Sequence, residues 1–181
     1  ASLDQDALAS LKGEPRILGL AEMMNYPGVL RGDETVLAKL ELFKGSVIDG
    51  HAPSLTGRDL QAYCAAGVQS DHETSDLREA EEKLRAGMVI LIREGTSAKN
   101  LEALAPLVNR RNSRRFCLVT DDLHPEDLLE KGHLDQVLRK AVHSGLDPLT
   151  ALQMVTLNPA EFFRLRDRGA VAPGYRADLV V

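Results

Sequence analysis

The sequence predicts an α/β fold, namely a partial (β/α)8 TIM-like barrel holding about strands 4 to 8 of the full barrel. From residue 16 onward, short apolar runs alternate with stretches whose apolar residues have helical spacing. The clearest run, residues 88–92, is continuously apolar, which is typical of a parallel strand buried on both faces. The predicted strands also end in polar residues, and parallel α/β barrels bind their ligands at the carboxyl ends of the strands.

Five strands and the helices between them are predicted in order along the chain. The strands cover residues 16–22, 45–51, 68–72, 88–95 and 115–122. The helices cover residues 33–44, 56–66, 75–85 and 98–110, from their apolar spacing, capping residues and closing glycines. A helical tail follows at residues 133–145, 147–157 and 158–165, and residues 177–181 are predicted to form a strand. Glu79, Glu81 and Glu82 of the third helix are expected on a solvated face.

Composition and charge argue against several classes of partner. The net charge is −5 and no large basic patch is present, which argues against nucleic acid. No apolar run approaches the roughly 20 residues that cross a bilayer, and no secretory signal is visible at the start. Cys64 and Cys117 lie in apolar contexts, which favours free thiols in a reducing compartment. We therefore expect a cytoplasmic protein without a nucleic-acid or membrane partner.

Two histidines and two carboxylates stand at the ends of predicted strands. Glu22 ends the first strand, His51 the second, His72 the third, and Asp121 lies at the end of the fifth. Imidazole and carboxylate groups are good ligands for divalent transition metals. Because the carboxyl ends of barrel strands meet at one mouth, the four side chains are predicted to form a metal centre in which Glu22 bridges two ions. For each histidine alone, a hydrogen-bonded residue without metal is the alternative.

Four segments that carry these residues resemble the successive motifs of adenine deaminases, which belong to the amidohydrolase superfamily. The segments are GLAEMMNYPGV at residues 19–29, DGHAP at 49–53, SDHE at 70–73 and TDDLHP at 120–125. The resemblance extends over essentially the whole chain, and the order of the motifs is more specific than any one of them. It implies that residues 1–168 are the C-terminal part of a metal-dependent barrel. Residues 169–181 would begin the return into a small β-sandwich.

The resemblance also implies a role for each strand-end residue. Glu22 takes the place of a carboxylated lysine that bridges two metals in many relatives. His51 and His72 match the histidine ligands of the fifth and sixth barrel strands, and Asp121 matches an aspartate of the eighth strand that is both ligand and proton shuttle. The expected cofactor is a pair of divalent ions, with manganese or iron favoured and zinc as the alternative.

Five further residues are candidate catalytic or substrate-binding groups. Glu73 and Asp122 adjoin the predicted ligands and are expected to contact substrate or relay protons, or else to support their neighbours. Arg93 and Ser97 follow the fourth strand, where they can touch the substrate, and pairing of Arg93 with a strand-end acid is the alternative. His124 can contact substrate or orient the neighbouring aspartates, whereas a loop histidine at a helix start is the alternative.

The resemblance implies hydrolytic deamination of adenine to hypoxanthine and ammonia. The chain departs from the superfamily pattern because it contains no His-x-His motif and lacks the first three barrel strands. We therefore expect the isolated chain to be inactive and to need a missing N-terminal half of the barrel or a second chain. Unpaired strand edges invite pairing, so a homo-oligomer is also expected. The alternatives are another amidohydrolase acting on a cyclic amide or amine, and a non-catalytic fragment or partner subunit.

Overall fold

The computed structural model describes residues 3–180 and shows an α/β chain that divides into two compact units. The described residues up to Thr74, together with Arg78–Val89, form the first unit. Ser75–Leu77 and the described residues from Ile90 onward form the second unit. Among residues 3–180, no helix has both the length and the apolar character that a membrane span requires.

The first unit contains a parallel pair of strands and the helices that follow them. Its elements are α1 (Gln5–Lys12), β1 (Gly19–Met23), α2 (Tyr26–Arg31), α3 (Glu34–Leu42), β2 (Val47–Gly50), α4 (Gly57–Ala65), β3 (Ser70–Asp71) and, from Arg78 onward, α5 (Leu77–Arg85). In the parallel pair of β1 and β2, Gly19 lies opposite Val47 and Leu20 opposite Ile48. A Cβ atom on Gly19 would lie 2.1 Å from the Val47 carbonyl oxygen, so this close approach requires glycine. The Gln69 N–H donates to the Ile48 carbonyl, which places the start of β3 beside β2.

The core of the first unit is made by the apolar faces of its strands and helices. α3 begins after Asp33, whose side chain accepts hydrogen bonds from the amides of Thr35 and Val36. The helix buries Val36 and Leu40, whereas Leu37 is exposed. The same core cluster includes Leu20, Phe43, Ile48, Leu60, Tyr63 and Met88. Because Leu20, Ile48, Leu60 and Tyr63 come from β1, β2 and α4, their packing holds the two strands against this helix.

The second unit is built on a second parallel pair of strands. Its elements are β4 (Val89–Arg93, from Ile90 onward), α6 (Leu101–Leu104), β5 (Phe116–Val119), α7 (Pro125–Lys131), α8 (Leu134–His143), α9 (Pro148–Val155) and α10 (Leu157–Phe162). In the pair of β4 and β5, Ile90 lies opposite Phe116. The buried Asn158 Nδ2 donates to the carbonyl oxygens of Ser113 and Phe116, at 2.8 and 2.7 Å. These two hydrogen bonds hold α10 against the start of β5.

All five predicted strands are present and each is shorter than predicted, but β1 ends at Met23, one residue beyond its predicted end. The helix predicted at 98–110 is replaced by α6 and a short 3-10 turn, Ala105–Leu107, because Pro106 has no N–H with which to continue an α-helix. Residues 177–180 have no regular structure, so the strand predicted at 177–181 is wrong for its described part, and Val181 lies outside the described residues. A strand needs a hydrogen-bonded neighbour, and no strand within residues 3–180 pairs with this segment.

Three helices of the described chain, α1, α2 and α7, are absent from the prediction although local signals mark them. The Asn25 side chain accepts from the Gly28 amide at the start of α2, Pro27 lies in the first turn, and Gly32 ends the helix with a φ of 72°. α7 likewise begins at Pro125. These helices are short, and their capping residues predict them better than their apolar spacing does.

The solvated face predicted for the acidic residues of α5 is wrong for one of them. Glu81 is exposed, as predicted, and Glu82 is half-buried. Glu79 is 7% exposed, because its carboxylate pairs with the buried ammonium of Lys83 one helical turn later. A charge pattern alone does not distinguish a solvated pair from a buried one.

Candidate metal centre

The carboxyl ends of the first three strands bring four predicted site residues together in the first unit. Glu22 is the last residue but one of β1, and His51 directly follows β2. His72 and Glu73 directly follow β3. We call these four residues the strand-end cluster. Their meeting follows from the parallel arrangement of β1 and β2 and from the position of β3 beside β2.

The two histidines of the cluster converge on one carboxylate. The Nε2 atom of His72 lies 2.7 Å from the Glu22 Oε2 atom, and the Nδ1 atom of His51 lies 3.4 Å from the same oxygen. The two imidazole rings meet edge to face, with their centroids 5.3 Å apart. One ligand atom from each of Glu22, His51 and His72 therefore lies within 4.8 Å of the other two, which is compact enough to hold one metal ion.

Glu73 brings a second carboxylate to the same two nitrogen atoms. Its Oε1 atom lies 3.4 Å from His51 Nδ1 and 3.5 Å from His72 Nε2. The side chain of Glu73 is largely shielded from solvent. Glu73 therefore belongs to the cluster by geometry, whereas its predicted role with substrate or protons stays a prediction.

The surroundings of one nitrogen atom in the cluster fit a bound cation. His51 Nδ1 is buried and makes no hydrogen bond to any residue from 3 to 180, although two carboxylates lie 3.4 Å away. Leaving such a nitrogen without a partner costs about 1–3 kcal/mol, which metal coordination would offset. Two imidazoles beside two carboxylates form a donor set that suits divalent manganese, iron or zinc. The chemistry of the donors and the unpartnered nitrogen both fit a divalent metal.

Tyr63 on α4 connects the ends of the strands that carry Glu22 and His51. Its buried hydroxyl donates to the carbonyl oxygen of Met23 at 2.6 Å and accepts the backbone N–H of His51 at 3.2 Å. Burial raises the pKa of the Tyr63 hydroxyl above its ordinary value, so the group stays a neutral donor. A Cβ atom on Gly50 would lie 2.9 Å from this hydroxyl and 2.4 Å from the Ser70 carbonyl, which is why glycine precedes His51.

Replacing Tyr63 by phenylalanine is expected to destabilise the protein by about 1–3 kcal/mol, because the Met23 carbonyl and the His51 amide lose a buried partner. The free energy of unfolding from urea titration measures this effect. Tyr26→Phe is the matched control, since the Tyr26 ring packs edge-on against Tyr63 while its hydroxyl makes no hydrogen bond within residues 3–180. Equal stabilities of the two variants would contradict the assigned role.

Asp49 is a residue of the site that sequence reasoning missed. Its carboxylate accepts from Ser70 Oγ at 2.5 Å and from the Gly50 amide at 3.0 Å, and one of its oxygens lies 4.0 Å from His72 Nδ1. Burial raises the pKa of Asp49, against the opposing effect of the Ser70 hydrogen bond. The available signal was an acidic residue within β2, since a carboxylate inside a buried strand requires partners.

The remaining predicted residues lie in the second unit. Asp121 follows β5, is exposed, and forms a 2.7 Å ion pair with Arg93 at the end of β4. The structure thus shows Arg93 paired with a strand-end acid, and its contact with a substrate stays a prediction. Asp121 has a φ of 58°, in the left-handed region that aspartate tolerates better than most residues. Its assignment as a fourth metal ligand stays a prediction from the sequence.

Asp122, Ser97 and His124 lie on the loops that follow the same two strands. The Ser97 hydroxyl donates to the Asp122 carboxylate, and this hydrogen bond lowers the pKa of Asp122. His124 immediately precedes α7, and its backbone N–H donates to Thr96 Oγ1 at 2.9 Å. His124 therefore lies at a helix start. The substrate contacts predicted for these three residues stay predictions.

Comparison with known proteins identifies relatives along the whole chain. The sequence model of the amidohydrolase family matches residues 9–181. An adenine deaminase of Desulfatibacillum aliphaticivorans is 54% identical over 183 residues, which covers 100% of this chain and 32% of that protein. Adenine deaminases of Cereibacter sphaeroides and Kosmotoga olearia are 51% and 47% identical, and the aligned part covers 32% and 31% of their lengths. The chain therefore spans about a third of the length of these curated relatives.

Solved structures show a similar fold at low sequence identity. The β-aspartyl dipeptidase of Fervidobacterium islandicum AW-1 matches with a TM-score of 0.63 and 17% identity, over 94% of this chain and 54% of that one. A crystal structure described as an amidohydrolase matches with a TM-score of 0.50 and 15% identity, over 78% of this chain. At such identities the likeness shows the fold alone.

Proposed function

This chain belongs to the amidohydrolase family, and we propose that its full-length protein is a metal-dependent enzyme that hydrolyses adenine to hypoxanthine and ammonia. The observation that carries the proposal is the strand-end cluster. In it, His51 Nδ1 lies buried between two carboxylates and has no hydrogen bond within the described part of the chain. The choice of adenine is supported by the relatives, which are named adenine deaminases and match the chain from end to end at about half of its positions.

The proposed metal ligands are Glu22, His51 and His72, and Asp121 is the fourth ligand that the resemblance to adenine deaminases implies. Mixed imidazole and carboxylate ligands suit manganese, iron or zinc, and we favour manganese or iron, as the resemblance to adenine deaminases implies. The two oxygens of the Glu22 carboxylate allow it to hold two ions, which is the number we propose. When bound, the metal supplies Lewis-acid activation of water for attack on the substrate.

The side chains of the cluster have to accept and donate the protons that move during the reaction. Hydrolysis at C6 of adenine removes a proton from the attacking water and delivers a proton to the departing amino group, so that water and adenine become ammonia and hypoxanthine. Glu73 suits both transfers, because its carboxylate faces the same nitrogen atoms as Glu22 and is largely shielded from solvent. His51 and His72 are held by the backbones of β2 and β3, which keeps the cluster in place while protons move.

The strand and helix order supports a wider architectural proposal. Strands followed by helices recur along the chain, the pairs β1–β2 and β4–β5 are parallel, and the cluster lies where strands end. This is the arrangement of a (β/α)8 barrel, and we propose that the chain supplies part of one. Cys64 and Cys117 are free thiols, which agrees with the cytoplasmic location that we propose for an enzyme of purine metabolism. Self-association stays a prediction.

The test is an assay of the full-length protein with adenine. We expect ammonia and hypoxanthine to appear in equal amounts, to disappear after treatment with a chelator, and to return when manganese or iron is restored. Guanine, cytosine and a cyclic amide such as hydantoin form the comparison panel. If the metal-loaded protein hydrolyses another member of this panel but not adenine, adenine is ruled out as the substrate and the amidohydrolase chemistry is retained. A protein that neither binds metal nor hydrolyses any member would contradict the proposal.

A further inference from the structure

A fully buried lysine lies beneath the strand-end cluster. Lys83 on α5 has no exposed surface, and its ammonium lies within hydrogen-bond distance of four oxygen atoms. These are the Ala52 carbonyl at 2.7 Å, Asp71 Oδ2 at 3.0 Å, Thr74 Oγ1 at 3.0 Å and Glu79 Oε1 at 2.5 Å. Asp71 is equally buried. Burial opposes ionisation of Asp71, yet the nearby Lys83 ammonium and several hydrogen bonds hold the pKa of this carboxyl below its usual value.

Asp71 connects the two loops that carry the cluster. Its Oδ1 atom accepts the Ala52 N–H at 2.7 Å, one residue after His51. Its Oδ2 atom accepts the backbone N–H groups of Glu73 and Thr74, at 3.0 and 2.9 Å, directly after His72. Lys83 in turn binds the carbonyl of Ala52 and the hydroxyl of Thr74. The ion pair therefore fixes the backbone on the carboxyl side of both histidines.

We infer that Lys83 and Asp71 are positioning residues, which set the loops at Ala52 and Thr74 so that His51, His72 and Glu73 converge. The inference rests on the proposed metal centre. None of the hydrogen bonds that Lys83 makes within residues 3–180 goes to Glu22, His51 or His72, so it acts on them only through Asp71 and the backbone. A buried ion pair is rarely more stabilising than apolar side chains of the same volume, so stability alone does not account for it. The positioning role rests on the hydrogen bonds of the pair to five groups of the two loops. These groups are the Ala52 N–H and carbonyl, the Glu73 N–H, and the Thr74 N–H and hydroxyl.

The test compares Lys83→Met with two matched variants of the full-length protein. Arg85→Met removes a cation from the same helix and the same i,i+4 type of ion pair, but at an exposed site. Val36→Ala removes buried volume from α3 and lowers stability away from the loops. Hydrogen exchange of backbone amides is measured without metal, and affinity for manganese is measured by equilibrium dialysis on folded protein.

We expect Lys83→Met to accelerate exchange of the Ala52 and Thr74 amides selectively. It should also weaken manganese binding by roughly 10–100-fold, as is usual when a group that orients metal ligands is lost. Arg85→Met should change neither quantity, and Val36→Ala should lower the melting temperature without weakening manganese binding to folded protein. If Lys83→Met does not fold, Thr74→Val removes the hydroxyl between Asp71 and Lys83 and is expected to show the same selective exchange to a smaller degree.

Unchanged or uniformly faster exchange, with unchanged manganese affinity, would overturn the inference and leave Lys83 a stabilising residue only. The test of Lys83 does not depend on the proposal that adenine is the substrate. If the parent protein binds manganese without hydrolysing adenine, the proposed reaction fails while the affinities still decide the role of Lys83. If it binds no manganese, the exchange of the Ala52 and Thr74 amides decides it alone.

Discussion

Replacement of His72 by alanine is expected to weaken manganese binding by more than about 100-fold, because losing a group that merely orients a ligand already costs ~10–100-fold. The Nε2 atom of His72 lies 2.7 Å from Glu22 and 3.5 Å from Glu73, so this one ring is the closest link between the two carboxylates. Adenine hydrolysis should fall with the bound metal. Metal content after dialysis, measured by elemental mass spectrometry and paired with ammonia release, tests the prediction.

His143→Ala provides the control for His72→Ala. His143 lies on the exposed side of α8, with Nδ1 at 2.7 Å from the Arg139 carbonyl, and belongs to no group of potential metal ligands within residues 3–180. Its replacement should leave both metal content and ammonia release unchanged. A His72→Ala protein that is folded by circular dichroism and still binds manganese at the parent level would remove His72 from the metal site.

Replacement of Glu73 by glutamine is expected to lower kcat for adenine by about 10²–10⁴-fold, the range typical of a lost general acid or base. Glutamine has nearly the same shape as glutamate but cannot accept the proton that the attacking water releases. Because Glu22, His51 and His72 remain, metal content and KM should change little. Steady-state kinetics with adenine and the metal content of the same sample separate the two effects.

Glu81→Gln on α5 is the matched control for Glu73→Gln, since Glu81 is an exposed carboxylate that pairs with Arg85. It should leave kcat unchanged. If Glu73→Gln loses its metal as well as its activity, Glu73 is a ligand and the proton carrier must be sought elsewhere. If kcat is unchanged, Glu73 has no part in the chemistry.

The secondary structure was predictable where its signals are local and repeated. Runs such as residues 88–92 predict buried strands because burial on both faces requires continuous apolar sequence. The helix predicted at 98–110 fails at Pro106, and α2 was missed although Asn25 and Gly32 mark its ends. In each case one capping or breaking residue outweighs the apolar pattern of the segment.

From the sequence alone, Glu22, His51, His72 and Asp121 were predicted to meet, because parallel strands place their carboxyl ends at one edge. The structure brings the first three together, with Glu73 beside His72. The place of Asp121 in this centre stays a prediction.

Other contacts became visible in the three-dimensional structure alone. Arg93 forms an ion pair with Asp121, and Glu79 is buried with Lys83 in a helix whose acidic residues were predicted to face solvent. The structure also reveals the hydrogen bonds of Tyr63 and Lys83 to backbone groups as far as 40 and 31 positions away. Such contacts follow from packing in three dimensions, and no pattern along the chain encodes them.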